Sequence, residues 1–144
     1  MTEKQPTSPN EIRALLGLVK HDLAQAETPG LLPDGRYVFL YNAALQLATT
    51  VLRLHDVRVG QAGHHRETFH AVGEFVPSEL RCSVTHFERS RRMRHRLTYD
   101  QAGAVSKTDA DGLRESVGVF AEWVRRLADA YLAAGTQHRD DEAG

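Results

Sequence analysis

Five arginines, Arg89, Arg91, Arg92, Arg94 and Arg96, are packed into one short stretch, and the twenty residues from Arg81 to Asp100 hold six arginines against only Glu88 and Asp100 as acids. A guanidinium keeps its charge near neutral pH and presents a planar fork that binds two phosphate oxygens at once, so the chemistry this density suits is the holding of phosphate. Position sharpens the signal. Leu80, Val84 and Phe87 form an apolar stripe, and continuing it at about 100 degrees per residue brings Arg91, Arg94 and Thr98 onto the same line, with His95 one step to the side. Burying an unpaired guanidinium is costly, so Arg91 and Arg94 must meet a carboxylate, open onto a cleft or face an anionic ligand. Asp22, Asp56, Glu67 and Asp100 are the candidate internal partners. Arg89, Arg92 and Arg96 fall on other faces, where a solvated helix surface is the simpler reading.

The elements that must carry these residues read as helices throughout. Ser8, Pro9 and Glu11 combine an N-cap, a proline at the first helical position and a capping-box glutamate. Ile12, Leu15, Leu16, Val19, Leu23 and Ala26 follow at spacings of three and four, and Pro29-Gly30 ends this first helix. From Asp34 to about His55 the chain is apolar on nearly every face, which belongs to a helix at the centre of a bundle. Arg58 to His65 reads as a loop, Phe69, Val72 and Phe75 as a short helix before Pro77, and Ser78 to Tyr99 as the arginine-bearing helix. Gly103 to Asp111 reads as a second loop. Leu113, Val117, Phe120, Val124, Leu127 and Tyr131 then mark a last long helix. No segment shows sustained alternation of strand-type residues, so no sheet is expected.

Length and composition bound the rest. A chain of 144 residues buries roughly 68% of its unfolded surface without metals or disulfides. Cys82 stands alone, no signal-peptide pattern opens the chain, and no apolar run reaches the roughly 20 residues of a membrane span. A cytoplasmic protein that does not enter membranes is expected. The formal net charge of -1 conceals segregation, with the arginine stretch set against Asp140, Asp141 and Glu142. Polar composition marks residues 1–8 as a disordered tail and residues 136–144 as a disordered acidic one, leaving 9–135 as a single domain. His64, His65 and His70 lie close together without a carboxylate or thiolate at ligand spacing, and no glycine-rich phosphate loop is present, so neither metal nor cofactor is expected.

The string Arg91-Arg92-Met93-Arg94-His95-Arg96-Leu97-Thr98-Tyr99-Asp100 at the end of a helix resembles the signature of the HEPN superfamily, small helical bundles found in prokaryotic toxin and RNase systems. Arg36 to Ala44 resembles its aromatic- and alanine-rich second helix, and His65 with Phe69 to Val76 the short helix before the signature. Active members carry an arginine, a polar residue and, a few residues on, a histidine. Arg94 matches the arginine and His95 the polar position, while Tyr99 stands where the histidine would be. This ending resembles the branch that closes in Tyr-Asp. An alternative pairing of Arg89 with His95 keeps the spacing but places Arg89 away from the apolar stripe.

The elements read above assemble into an all-α, up-and-down antiparallel bundle of four long helices and one short one, and the resemblance implies a homodimer that brings two arginine segments to one cleft. It further implies an RNA-directed protein, either a metal-independent endoribonuclease of toxin–antitoxin type or a derivative that binds RNA. Arg94, His95 and Tyr99 would be the catalytic residues and Arg89, Arg91, Arg92 and Arg96 the phosphate contacts. A base would draw the proton from a ribose 2′-hydroxyl while arginine stabilises the charge on phosphorus. Tyrosine is a poor base at pH 7, its unperturbed pKa being about 10, so His95 is the candidate base and Tyr99 a hydrogen-bond donor, a stacking surface or a modification site. The alternative is a non-catalytic nucleotide-binding module that partners a nucleotidyltransferase-type antitoxin.

Overall fold

The computed structural model of the chain describes residues 2–60, 64–99 and 103–143, with the side chains of 98, 99 and 136–143 outside that description. The architecture is an all-α bundle. Helices α1 (Pro9–Ala26), α2 (Pro33–Leu54), α4 (Arg81–Tyr99) and α5 (Lys107–Ala143) are long, α3 (His64–Val72) is short, and a single 3-10 turn at Ser78–Leu80 leads into α4.

The start of α1 follows its local chemistry only in part. Ser8 is the N-cap and its Oγ accepts from the Glu11 amide at 3.2 Å. The Glu11 carboxylate has other partners: Oε1 accepts from Thr7 Oγ1 at 2.6 Å and from Arg53 Nε at 2.8 Å, and Oε2 accepts from Arg58 at 2.8 Å. Arg53, which interrupts the apolar face of α2, is only 3% exposed. Its remaining nitrogens donate to the carbonyls of Gln5 and Pro6, both at 2.9 Å. A buried guanidinium so surrounded satisfies both its charge and its donors.

This arrangement overturns the expectation of a frayed N-terminus and of no sheet. Strand β1 (Thr2–Lys4) pairs antiparallel with β2 (Val57–Val59), Glu3 lying opposite Arg58. Three-residue strands are too short to show alternation, and every residue of β1 is exposed, so the signal on which strands are recognised was absent. Asp56 turns the chain between α2 and β2 with a φ of 59°, a conformation aspartate tolerates, and its carboxylate accepts from the Thr7 amide at 2.9 Å.

The centre of the bundle is α2, with Leu40, Tyr41, Ala44, Leu47, Ala48 and Val51 all essentially inaccessible. Helices α1, α3, α4 and α5 all pack against it. An aromatic chain continues the core, from Phe69 to Phe87 at 6.0 Å, Phe87 to Phe120 at 5.3 Å and Phe120 to Trp123 at 5.5 Å between ring centroids. At the start of α5, Ser106 and Asp109 cap each other reciprocally at 3.0 Å, so the helix begins within the stretch expected to be a loop. Asp34 at the start of α2 accepts from the amides of Gly103 and Val105, tying that connection to the central helix. At its other end α5 is helical through Ala143, where an unstructured acidic tail was expected.

Candidate functional site

Two turns of the central helix organise the arginine segment. Tyr37 and Tyr41, one turn apart on α2, meet Ser90 and Arg94, one turn apart on α4. The buried Tyr37 hydroxyl donates to Ser90 Oγ at 2.9 Å, and Ser90 donates back to the His86 carbonyl of its own helix. The Arg94 guanidinium carbon lies 5.4 Å from the centroid of the Tyr41 ring, within the range of a cation–π contact. Arg94 is half-buried, as its place on the apolar stripe requires.

Tyr41 links Arg94 to a third element. Its hydroxyl lies 2.9 Å from His65 Nδ1, at the start of α3. Burial pushes the Tyr41 hydroxyl up to about 12, against the lowering influence of the Arg94 and Arg91 charges, so tyrosine keeps its proton at neutral pH. His65 moves the other way. Burial, and then the positive charges of Arg94, His64 and Arg91, hold its imidazole below the usual histidine value. The ring is therefore neutral at pH 7 and able to take up a proton. A fixed guanidinium thus sits beside a neutral imidazole, with one tyrosine touching both.

The remaining arginines divide as their faces dictate. Arg91 is half-buried and forms a two-pronged ion pair with Glu88, at 3.1 and 3.4 Å; Glu88 was not among the acids considered from sequence. Asp56 is engaged elsewhere. The Asp56 carboxylate is on the Thr7 amide, while Asp22 is pushed up by burial and lowered by His21. Arg89, Arg92 and Arg96 are exposed. Arg92 lines a groove of about 510 Å³ between α3 and α4, together with Arg66, Glu67, His70 and Glu88. His95 is exposed on the outer surface of α4, so the fold gathers Arg94 with Tyr41 and His65. The Tyr99 side chain and Asp100 lie outside the described residues.

His65 and Tyr41 are the residues that reading the sequence did not assign to the arginine site. His65 was assigned to a loop because no apolar residue precedes Phe69 in the first turns of α3, and Tyr41 read as one more core aromatic. The only sequence signal was their pairing with the aromatic helix and the short helix of the resemblance. Among the described residues no three His, Cys, Asp or Glu side chains come together in a way that could hold a metal ion, and no helix is long and apolar enough to cross a membrane. Comparison with known proteins returned no match, whether to family models, curated proteins or solved structures.

Proposed function

We propose that the chain is an HEPN-like, RNA-directed protein and that the Arg94–Tyr41–His65 cluster cleaves single-stranded RNA without a metal. The observation that carries this reading is the meeting of a half-buried guanidinium with a histidine that burial and neighbouring charge keep neutral. Phosphodiester transfer within RNA needs a group to remove the 2′-hydroxyl proton and a fixed positive charge for the oxygens on phosphorus. His65 takes the proton, the 2′ oxygen attacks phosphorus, and the bond to the 5′ oxygen breaks. That oxygen takes a proton from water, leaving a 2′,3′-cyclic phosphate and a 5′-hydroxyl. Arg94 stabilises the charge that develops, Tyr41 orients both groups, and exposed Arg92 and Arg96 hold flanking phosphates. His95, on the outer surface, falls in with these flanking contacts rather than with the base.

The resemblance also supports a homodimer with two such clusters, and a toxin role held in check by a nucleotidyltransferase-type antitoxin. The test is incubation of the purified chain with single-stranded RNA in excess chelator, with the product ends identified by mass spectrometry. Cyclic phosphate ends are expected; RNA that binds and stays intact would leave only the binding half of the proposal standing.

A further inference from the structure

A second cavity lies on the other side of α4, facing α5. It measures about 290 Å³ and its lining includes Tyr37, His86, Arg89, Met93, Asp109 and Gly112. None of the residues proposed for cleavage belongs to it. The volume lies just below the usual range of ligand pockets, roughly 300–1,000 Å³, which suits a small ligand or a single base.

Its polar groups have complementary hydrogen-bonding capacity. Arg89 brings a fork of donors, and Asp109 brings acceptors, one of its oxygens already receiving the Ser106 amide. No ion pair between the two is seen among the described residues: Arg89 is exposed to solvent and Asp109 keeps one carboxylate oxygen outside its helix cap. His86 is held by its contact to Ser116, Nδ1 to Oγ at 2.7 Å, which fixes the ring and leaves Nε2 for a further partner. The Tyr37 hydroxyl is committed to Ser90, so Tyr37 and Met93 supply apolar surface. Gly112 keeps the space open: a Cβ built there would reach ordinary contact with His86 Cε1 at 3.9 Å, and any longer side chain would enter the cavity.

We propose that this cavity is a binding pocket for a guanine base. A ligand that engages both charged groups presents two neighbouring acceptors to the guanidinium and two neighbouring donors to the carboxylate. Guanine does so, with O6 and N7 on one edge and N1–H and N2–H on the next. Arginine is the side chain best matched to the first pair. Adenine lacks the second set of donors, and cytosine offers a single donor group. The choice of a nucleobase rests on the RNA-directed reading above, and the pocket then confers a preference for RNA that contains guanosine.

The test uses free mononucleotides, so that it does not depend on cleavage. Titration calorimetry should show saturable binding of guanosine monophosphate, in preference to the adenosine, cytidine and uridine equivalents. Arg89→Ala, at an exposed position, should weaken binding about tenfold or more. Asp109→Asn keeps an acceptor for the helix cap and should erode the preference for guanine, and Gly112→Leu should block the pocket, with circular dichroism confirming that each variant is folded. No binding, equal binding of all four nucleotides, or affinity untouched by Arg89→Ala would overturn the pocket, even if the chain cleaves RNA. Guanine-selective binding by a chain that ignores RNA would instead uphold the pocket and defeat the cleavage reading.

Discussion

Replacing Arg94 by alanine separates a structural arginine from a functional one. Among the contacts the fold loses is the cation–π contact with Tyr41, worth about 0.5–2 kcal/mol depending on how far it is desolvated. For a chain of this size each kcal/mol moves the melting temperature by about 4 °C, so that contact accounts for a fall of about 2–8 °C. Had Arg94 neutralised a buried acid such as Asp22 or Asp56, the stranded carboxylate would cost about 3–5 kcal/mol, and the fall would exceed about 12 °C. The rate responds differently. Loss of one fixed charge at the phosphorus typically costs about 3 kcal/mol, or about 150-fold. A second effect follows from the same deletion: the Arg94 charge is one of the causes that lower His65, so its removal shifts the acid limb of the residual pH–rate profile to higher pH. Thermal melting and RNA cleavage in chelator, measured on one preparation, decide the matter. A collapsed melting temperature, or cleavage at the wild-type rate, would refute the assignment.

Further outcomes follow from the same geometry. His65 and His86 are both held below their ordinary value of 6.5, first by burial. The unfolded chain therefore binds more protons than the folded one as pH falls through 6.5, and stability should decline from that point towards their lower folded values, as urea titrations across pH 5 to 8 would show. Burial acts to raise Glu11, but hydrogen bonds from Thr7, Arg53 and Arg58 outweigh it and leave the group below its ordinary 4.5. Its stabilisation should persist above that pH and fade below it. Glu11→Ala strands the buried Arg53 guanidinium and should cost about 3 kcal/mol in denaturant unfolding. Binding to single-stranded RNA should weaken steeply with salt, and Arg92→Ala should lower the slope of log affinity against log salt by roughly one. Light scattering should report a dimer of about 32 kDa, twice the 16.1 kDa chain.

The parts of the fold that local chemistry determines were legible in the sequence, and the parts made by distant contacts were not. Ser8 and Pro9 marked the start of α1, and the all-round apolar character of α2 marked it as central, because capping and periodicity are properties of neighbouring residues. Arg94 stood out because a charge on an apolar stripe demands a partner. The partner itself was out of reach: Tyr41 and Arg94 are 53 positions apart, and the contact from Tyr41 to His65 spans 24. Arg53 shows the same limit. Along the chain it reads as a break in an apolar face, yet in the fold it anchors Gln5, Pro6 and Glu11 and draws the N-terminal residues into a strand.

The central claim is that His65 is the base of a metal-independent RNA cleavage, and its most direct test is the cleavage rate of His65→Ala in excess chelator, compared with the unaltered chain on the same end-labelled single-stranded RNA. The account predicts cyclic phosphate products from the unaltered chain and a loss of about 100-fold or more in the variant, with its helical content and melting temperature close to the original. Cleavage that survives the loss of His65, or an unaltered chain that makes no cyclic phosphate ends, would contradict it.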